Sequence, residues 1–249
     1  MPKVTVIMPA YNAARFIEVA VNSVINQTVT DWELLIIDDC SKDETVLYAE
    51  ALANKDSRIT VIKNEENMGV ARTRNRGLDM AKGQWVALLD SDDIWHSDKL
   101  EKQLELAGKT NADIVYCSYG IVDANGCKAR EPYVTIPEVS LEDMLQQNYI
   151  GCSTVMLSQN VTDKYRFVTD FFHEDYVMWT QILKDGYKAC GITEVLVDWR
   201  YIQNSRSFNK IKAAKNRWLI YRKYLKLPLA KSMKSIIQYA FAGIVKYTA

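Results

Sequence analysis

The chain has 249 residues, 48% of them hydrophobic, which is enough for one large domain or one domain with an appendage. Five cysteines (Cys40, Cys117, Cys127, Cys152, Cys190) form no CxxC pair, and two histidines are too few for a histidine-rich metal site. The thiols therefore read as scattered and free, in a reducing cytosol. The net charge of zero is unevenly spread: residues 1–199 hold all 31 acidic residues against 19 basic ones, whereas 200–249 hold 12 basic residues and no acid.

The opening "MPKVTVIMPAYN" lacks a basic stretch followed by a long apolar run, so no secretory leader is expected. "VTVIM" (4–8) predicts a short strand, and "AARFIEVAVNSVINQ" a helix with Phe16, Ala20 and Val24 on one face. "ELLIID" (33–38) predicts the second strand, followed by a helix from about Asp43 to Ala53 and a strand, "RITVI" (58–62). "GVARTRNRGLDMAKG" suits a helix closed by Gly83. "QWVALLD" (84–90) is apolar throughout, as in a parallel strand covered on both faces. Such alternation predicts a doubly wound α/β sheet.

After residue 110 the pattern loosens. "ADIVYCSYG" predicts a strand, "DANG" a turn and "SLEDMLQQN" a short helix capped by Ser140. Strands near 152–157 and 194–199 flank a helix starting at about Glu174. In the tail, Met233, Ile236, Ile237, Ala240, Phe241, Ile244 and Val245 form one apolar helical stripe flanked by lysines. "NKIKAAKNRWLIYRKYLKL" adds interfacial aromatics among basic residues. This tail is expected on an anionic membrane surface; the alternative packs the stripe on the body or on a second copy in a homo-oligomer. No nucleic-acid module accompanies the charge, so nucleic acid is not an expected partner.

Three polar clusters follow predicted strands: "PAYN", "DDCSKDET" and "DSDD". In an open α/β sheet they converge on the rim where ligands bind. Neither GxGxxG nor GxxxxGK[ST] is present, so a Rossmann dinucleotide site and a P-loop are unsupported. Phosphate neutralisation by a carboxylate-held Mn²⁺ or Mg²⁺ is the natural alternative.

"VIMPAYN", "LLIIDDCSKDET", "NMGVARTRNRG", "LLDSDD" and "HEDYVMW" occur in an order and spacing that resembles family-2 glycosyltransferases. The resemblance implies a GT-A fold, with a mainly parallel central sheet flanked by helices and a basic helical extension. It implies a catalytic domain over 1–207 (nucleotide half 1–95, acceptor half 96–207) and a tail over 208–249. Pro9 and Tyr11 would lie along the uridine, Asp39 would accept from uracil N3–H, and Arg74 would approach the base or diphosphate. Asp43 reads as a helix cap, and Arg72 and Arg76 as surface charges. Asp90 would contact the ribose or reach the metal through water, and Asp92 would bind the metal. Asp175 would be the base of an inverting transfer, with Glu174 orienting it or meeting the acceptor. Asp93, Trp95, Glu174 and Arg200 are secondary candidates for acceptor or donor contacts, with capping of the next turn an equal alternative for Asp93, and Arg200 is a candidate for the diphosphate also.

The implied reaction moves one hexose or N-acetylhexosamine from a UDP-sugar to a polyprenyl-diphosphate-linked saccharide, at the cytoplasmic face of the membrane. Two departures from the family stand out. Ile202 occupies the place of a metal-binding histidine, and "NRW" (216–218) resembles the QxxRW of processive synthases but with Ala214 in place of the glutamine. The alternatives are a catalytically silent UDP-binding scaffold and a nucleotidyltransferase.

Overall fold

The computed structural model describes residues 1–171, 173–201 and 210–248, excepting the side chains of 210–213 and 240–248. Four parallel strands build the first half: β1 (Val4–Ala10), β2 (Trp32–Asp38), β3 (Ile59–Lys63) and β4 (Trp85–Leu88). Between them run α1 (Ile17–Ile25), α2 (Thr45–Ala53) and α3 (Val70–Met80). Next come a two-residue strand, β5 (Ile94–Trp95), then α4 (Lys99–Thr110), the long strand β6 (Ile114–Val122) and an exposed edge strand, β7 (Lys128–Tyr133). The second half continues with α5 (Leu141–Gln146), a single 3₁₀ turn (Cys152–Thr154), β8 (Met156–Ser158), α6 (Gln159–Thr162), α7 (Glu174–Lys184) and β9 (Ala189–Arg200). The tail forms α8 (Lys210–Leu219), a π-helical turn (Ile220–Tyr224) and α9 (Leu229–Thr248).

All strands join one sheet in the order β3-β2-β1-β4-β8-β6-β9-β5, with β7 on β6. β8 runs antiparallel to both β4 and β6, while β6 and β9 are parallel, so the sheet is mainly parallel as expected. Alternate residues of each strand face opposite layers. Val4, Val6, Met8, Leu34 and Ile36 pack with Ile17, Val21, Ala49 and Leu100 from α1, α2 and α4. Ile7, Ile37 and Leu88 pack on the other side with Ala71 and Leu78 of α3 and with Trp179 of α7.

Glycines set two close approaches. A Cβ on Gly77 would lie 2.5 Å from Ile7 Cγ2, so only glycine lets α3 sit this near the sheet. Gly83 was expected to terminate α3, but the helix ends at Met80 and Gly83 has no left-handed φ. It serves instead where the turn crosses β1: a Cβ there would lie 2.4 Å from the Thr5 nitrogen, and its own N–H donates to Thr5 Oγ1 at 2.8 Å. Ser140 does cap α5, in a reciprocal capping box with Asp143.

The tail does not stand apart from the body. Ile220, Tyr221, Leu225 and Leu227 are buried in the same apolar cluster as Met144, Tyr176 and Trp179. Tyr221 donates its hydroxyl to Leu145 O, and the Arg217 guanidinium lies 3.6 Å over the Tyr176 ring. Among the described residues, no helix is long and apolar enough to cross a membrane.

Candidate active site

β2, β1 and β4 are adjacent and parallel, so their carboxyl ends bring the three polar clusters to one rim. The Asp39 N–H donates to Ala10 O at 2.8 Å, tying the first two strand ends together. Asn12, in the left-handed region at φ 50°, accepts from the Lys42 N–H at 2.8 Å and donates its own N–H to Ser41 Oγ at 2.9 Å. Pro9 is buried in β1, whereas Tyr11 stands on the rim with half its surface exposed (50%). Asp43 accepts from the Thr45 N–H at 3.1 Å, the start of α2, and also from the Ala14 N–H.

Asp39 is more constrained than its expected role alone would require. Its Oδ1 accepts from Asn64 Nδ2 and the Met68 N–H, and its Oδ2 from the Gly69 N–H, each at 2.8 Å. The carboxylate thereby fixes the loop that enters α3. Arg76 was expected at the surface, yet it supports this arrangement by donating to Asn64 Oδ1. Arg72 is exposed, as expected. On the neighbouring residue, Asp38 Oδ2 accepts from the Ser41 N–H while Oδ1 is buried without a hydrogen bond among the described residues.

The DSDD turn divides into supports and an open carboxylate. The Asp93 N–H donates to Asp90 O at 3.1 Å, closing the turn. Asp93 itself is buried and accepts from Ser153 Oγ through Oδ2 and from the Arg200 N–H at 2.9 Å through Oδ1. Its ligand role is therefore corrected to a structural one, since both oxygens are engaged inside the protein. Burial, reinforced by the charges of Asp92 and Asp90, pushes its pKa well above the usual carboxylate range.

Trp95 is corrected likewise: it is 3% exposed, and its indole N–H donates to Ser153 O at 2.8 Å. Beneath it, the fully buried Lys99 places Nζ 3.8 Å from the Trp95 ring centroid and donates to Gln103 Oε1 at 2.7 Å. Arg200, expected near diphosphate or acceptor, is buried. It donates Nε to Asp92 O at 2.8 Å and Nη1 to Asp123 O and Ala124 O. It clamps the backbone of the DSDD turn.

Asp92 remains half-buried, and no side-chain donor is bonded to its carboxylate among the described residues. Burial first, then the charge of Asp90, pushes its pKa up to about 6. Two hard oxygen donors held close against their mutual repulsion suit Mn²⁺ or Mg²⁺, which complete their shell with water and phosphate oxygens. No group of three metal-ligating side chains exists among the described residues. Ile202 lies outside them.

Arg74 links the DSDD turn to the start of α7. It is buried in α3, donating Nη2 to Asp90 Oδ1 at 2.6 Å and Nη1 to Glu174 Oε1 at 2.8 Å. Burial opposes its charge, but the carboxylates of Asp90 and Glu174 hold its pKa well above the usual value. The next residue in the motif adds support: Asn75 exchanges two hydrogen bonds with the backbone of Phe167, whose ring lies 5.4 Å from the Arg74 guanidinium. Glu174 and Asp175 open α7, where the helix dipole favours anions. Glu174 is buried and paired, hence the orienting member. Asp175 is half-buried, accepts the Tyr176 N–H at 2.7 Å, and has its pKa raised by burial against the opposing charge of Arg74.

One part of the site carries no sequence signature. The 3₁₀ turn at Cys152–Thr154 supplies Ser153, whose Oγ accepts the Asp90 N–H at 3.1 Å as well as donating to Asp93. The adjoining Cys152 thiol senses the charges of Arg74, Asp90, Asp175 and Glu174, and burial raises its pKa well above the usual value. A strand was expected near 152–157; only its last residues form β8.

Residues 5–162 match the model of Glycosyl transferase family 2, and the chain belongs to that family. It is a glycosyltransferase with a GT-A fold. It is 38% identical over 98% of its length to the putative teichuronic acid biosynthesis glycosyltransferase TuaG of Bacillus subtilis, covering 97% of that protein. It is 36% identical over 98% of its length to the Escherichia coli UDP-Glc:alpha-D-GlcNAc-diphosphoundecaprenol beta-1,3-glucosyltransferase WfgD, covering 94% of it. Among solved structures, S. aureus TarS 1–349 in complex with UDP-GlcNAc superposes with a TM-score of 0.75 at 19% identity, over 96% of this chain and 71% of that one.

Proposed function

We propose that the protein transfers one hexose, or N-acetylhexosamine, from a UDP-sugar to a polyprenyl-diphosphate-linked saccharide, with inversion to a β-glycosidic bond, in surface-polysaccharide assembly at the cytoplasmic face of the membrane. The observation that carries the reading is the Asp90–Arg74–Glu174 bridge, which holds the carboxylates of the metal turn and of the base helix in one cleft. The E. coli relative, 94% of which the chain covers and which is named for a diphosphoundecaprenol-linked sugar, supports the acceptor class.

Each group has a task in this reading. Tyr11, exposed on the rim, covers the uracil, whose N3–H meets Asp39. Asp92, with Asp90 beside it, holds the Mn²⁺ or Mg²⁺, and that ion supplies charge neutralisation for the diphosphate. Arg74 keeps Asp90 aimed into the cleft and lends positive charge below it. Asp175 takes the proton from the acceptor hydroxyl as its oxygen bonds to the anomeric carbon and the bond to the UDP oxygen breaks. Glu174, locked by Arg74, fixes the start of α7 so that Asp175 faces the acceptor.

The test is transfer from radiolabelled UDP-sugars to a synthetic lipid-diphosphate sugar, with and without chelator. Transfer that is lost in chelator, restored by Mn²⁺, and abolished in Asp92→Ala supports the assignment. Full activity of Asp92→Ala would refute it.

A further inference from the structure

The tail turns an apolar face outward. Leu229, Met233 and Ile237 recur every four residues along α9 and are 58%, 49% and 61% exposed. The face that packs inward is mixed: Ile236 packs partly on the apolar cluster of the body, Ser232 and Ser235 are buried, Ser232 donates to Pro228 O at 3.1 Å, and Tyr239 lies against the Arg217 guanidinium at 4.4 Å. A helix on a soluble surface does the reverse, hiding its apolar stripe and showing its serines. The small inward serines let α9 lie close to α5 and to the π-helical turn, and Leu229, Met233 and Ile237 remain exposed on the opposite side.

We propose that this outer face of α9 docks on a bilayer rich in anionic lipid, seating Leu229, Met233 and Ile237 at the level of the headgroups. Charge argues for that occupant. Lys215, Lys223, Lys226 and Lys234 are exposed in the same tail, and residues 200–249 contain no acid to offset them. Lys231 is already matched by Glu142 at 2.7 Å. A second copy of the chain is a poorer fit, because a two-fold contact sets the same patch against itself and brings like charges together. An anionic lipid surface answers both the lysines and the apolar stripe. A helix of 20 residues that does not qualify as a membrane span lies in the plane of the interface rather than across it. The docking surface does not depend on the proposed reaction, so it is measured without donor or acceptor.

The experiment is sedimentation of the full chain with phosphatidylglycerol or phosphatidylcholine vesicles. The expected result is binding to the anionic vesicles alone, weakened when salt shortens the screening length from about 10 Å at 0.1 M to about 3 Å at 1 M. Met233→Glu/Ile237→Glu should lower the partition coefficient by about tenfold or more, with melting temperature and UDP-sugar hydrolysis unchanged. Lys223→Gln/Lys226→Gln/Lys234→Gln, which touches only exposed side chains, should reduce binding at low salt. Failure of the wild-type chain to bind anionic vesicles overturns the proposal, as does undiminished binding by either variant. A wild-type dimer that the glutamate pair dissociates, with vesicle binding absent, would assign the face to a second copy instead.

Discussion

Replacing Lys99 by methionine should alter how stability depends on pH more than it alters stability at neutrality. Lys99 is fully buried under Trp95, and its ammonium has one hydrogen-bonding partner, Gln103, with no ion pair among the described residues. Burial lowers its pKa from 10.5 to about 8. At about 1.4 kcal/mol for each tenfold change in proton affinity, holding the charged form inside costs about 3 kcal/mol. The folded pKa lies below the unfolded one, so between about 8 and 10.5 the unfolded chain binds more protons and stability rises with pH. The gain is complete above the unfolded value and lost as pH falls through about 8.

At neutral pH the methionine variant sheds the buried charge but leaves Gln103 Oε1 without its donor. These effects oppose each other, and the net change should be small. The measurement is urea denaturation of both proteins from pH 7 to 10.5. Wild type should gain up to about 3 kcal/mol relative to the variant across that interval. Parallel curves would show that the ammonium is solvated or paired, and would refute the account.

Three further outcomes concern the site directly. Arg74→Lys keeps the charge but loses the fork that reaches Asp90 and Glu174 together, so kcat/KM for transfer should fall by about 100-fold. Ser153→Ala removes an acceptor for the Asp90 N–H and a donor to buried Asp93. It should cost about 1–3 kcal/mol in urea denaturation and raise KM for the UDP-sugar more than it lowers kcat. The Asp175 carboxyl is pushed upward by burial, so the rate of transfer should climb with pH through a limb above the ordinary carboxylate value of about 4. Asp175→Asn should lower kcat by about 10²–10⁴-fold and remove that limb while UDP binding, measured by calorimetry, is retained.

The strands of the nucleotide half were legible because solid apolar runs such as "ELLIID" and "QWVALLD" fit a sheet covered on both faces. Asp90, Asp92, Arg74 and the Glu174-Asp175 pair were legible as motif residues, and the structure joins Asp90 and Glu174 through the Arg74 guanidinium. What the sequence concealed was the division of labour. Asp93, Trp95 and Arg200 resemble site residues by position, yet their polar atoms are used up by Ser153, the strand β9 backbone and the 123–124 turn. Those contacts span 58 or more residues of chain and leave no periodic trace. Ser153 belongs to a three-residue turn with no motif at all. In the tail, the period of α9 was readable, but the burial of Ser232 and Ser235 was not, because it contradicts hydropathy.

The short antiparallel strand β8 has a mechanical consequence. It is bonded to β4 on one side and β6 on the other, so the sheet crosses from the nucleotide half to the acceptor half without a break. A ladder of backbone hydrogen bonds cannot act as a hinge, and the halves cannot close on a sugar as two hinged lobes do. The spacing between the DSDD turn and the start of α7 is therefore built into the frame, with Arg74 as a strut from Asp90 to Glu174. An enzyme of this build meets its two substrates with a gap already set, and its discrimination rests on which hydroxyl that fixed gap can reach.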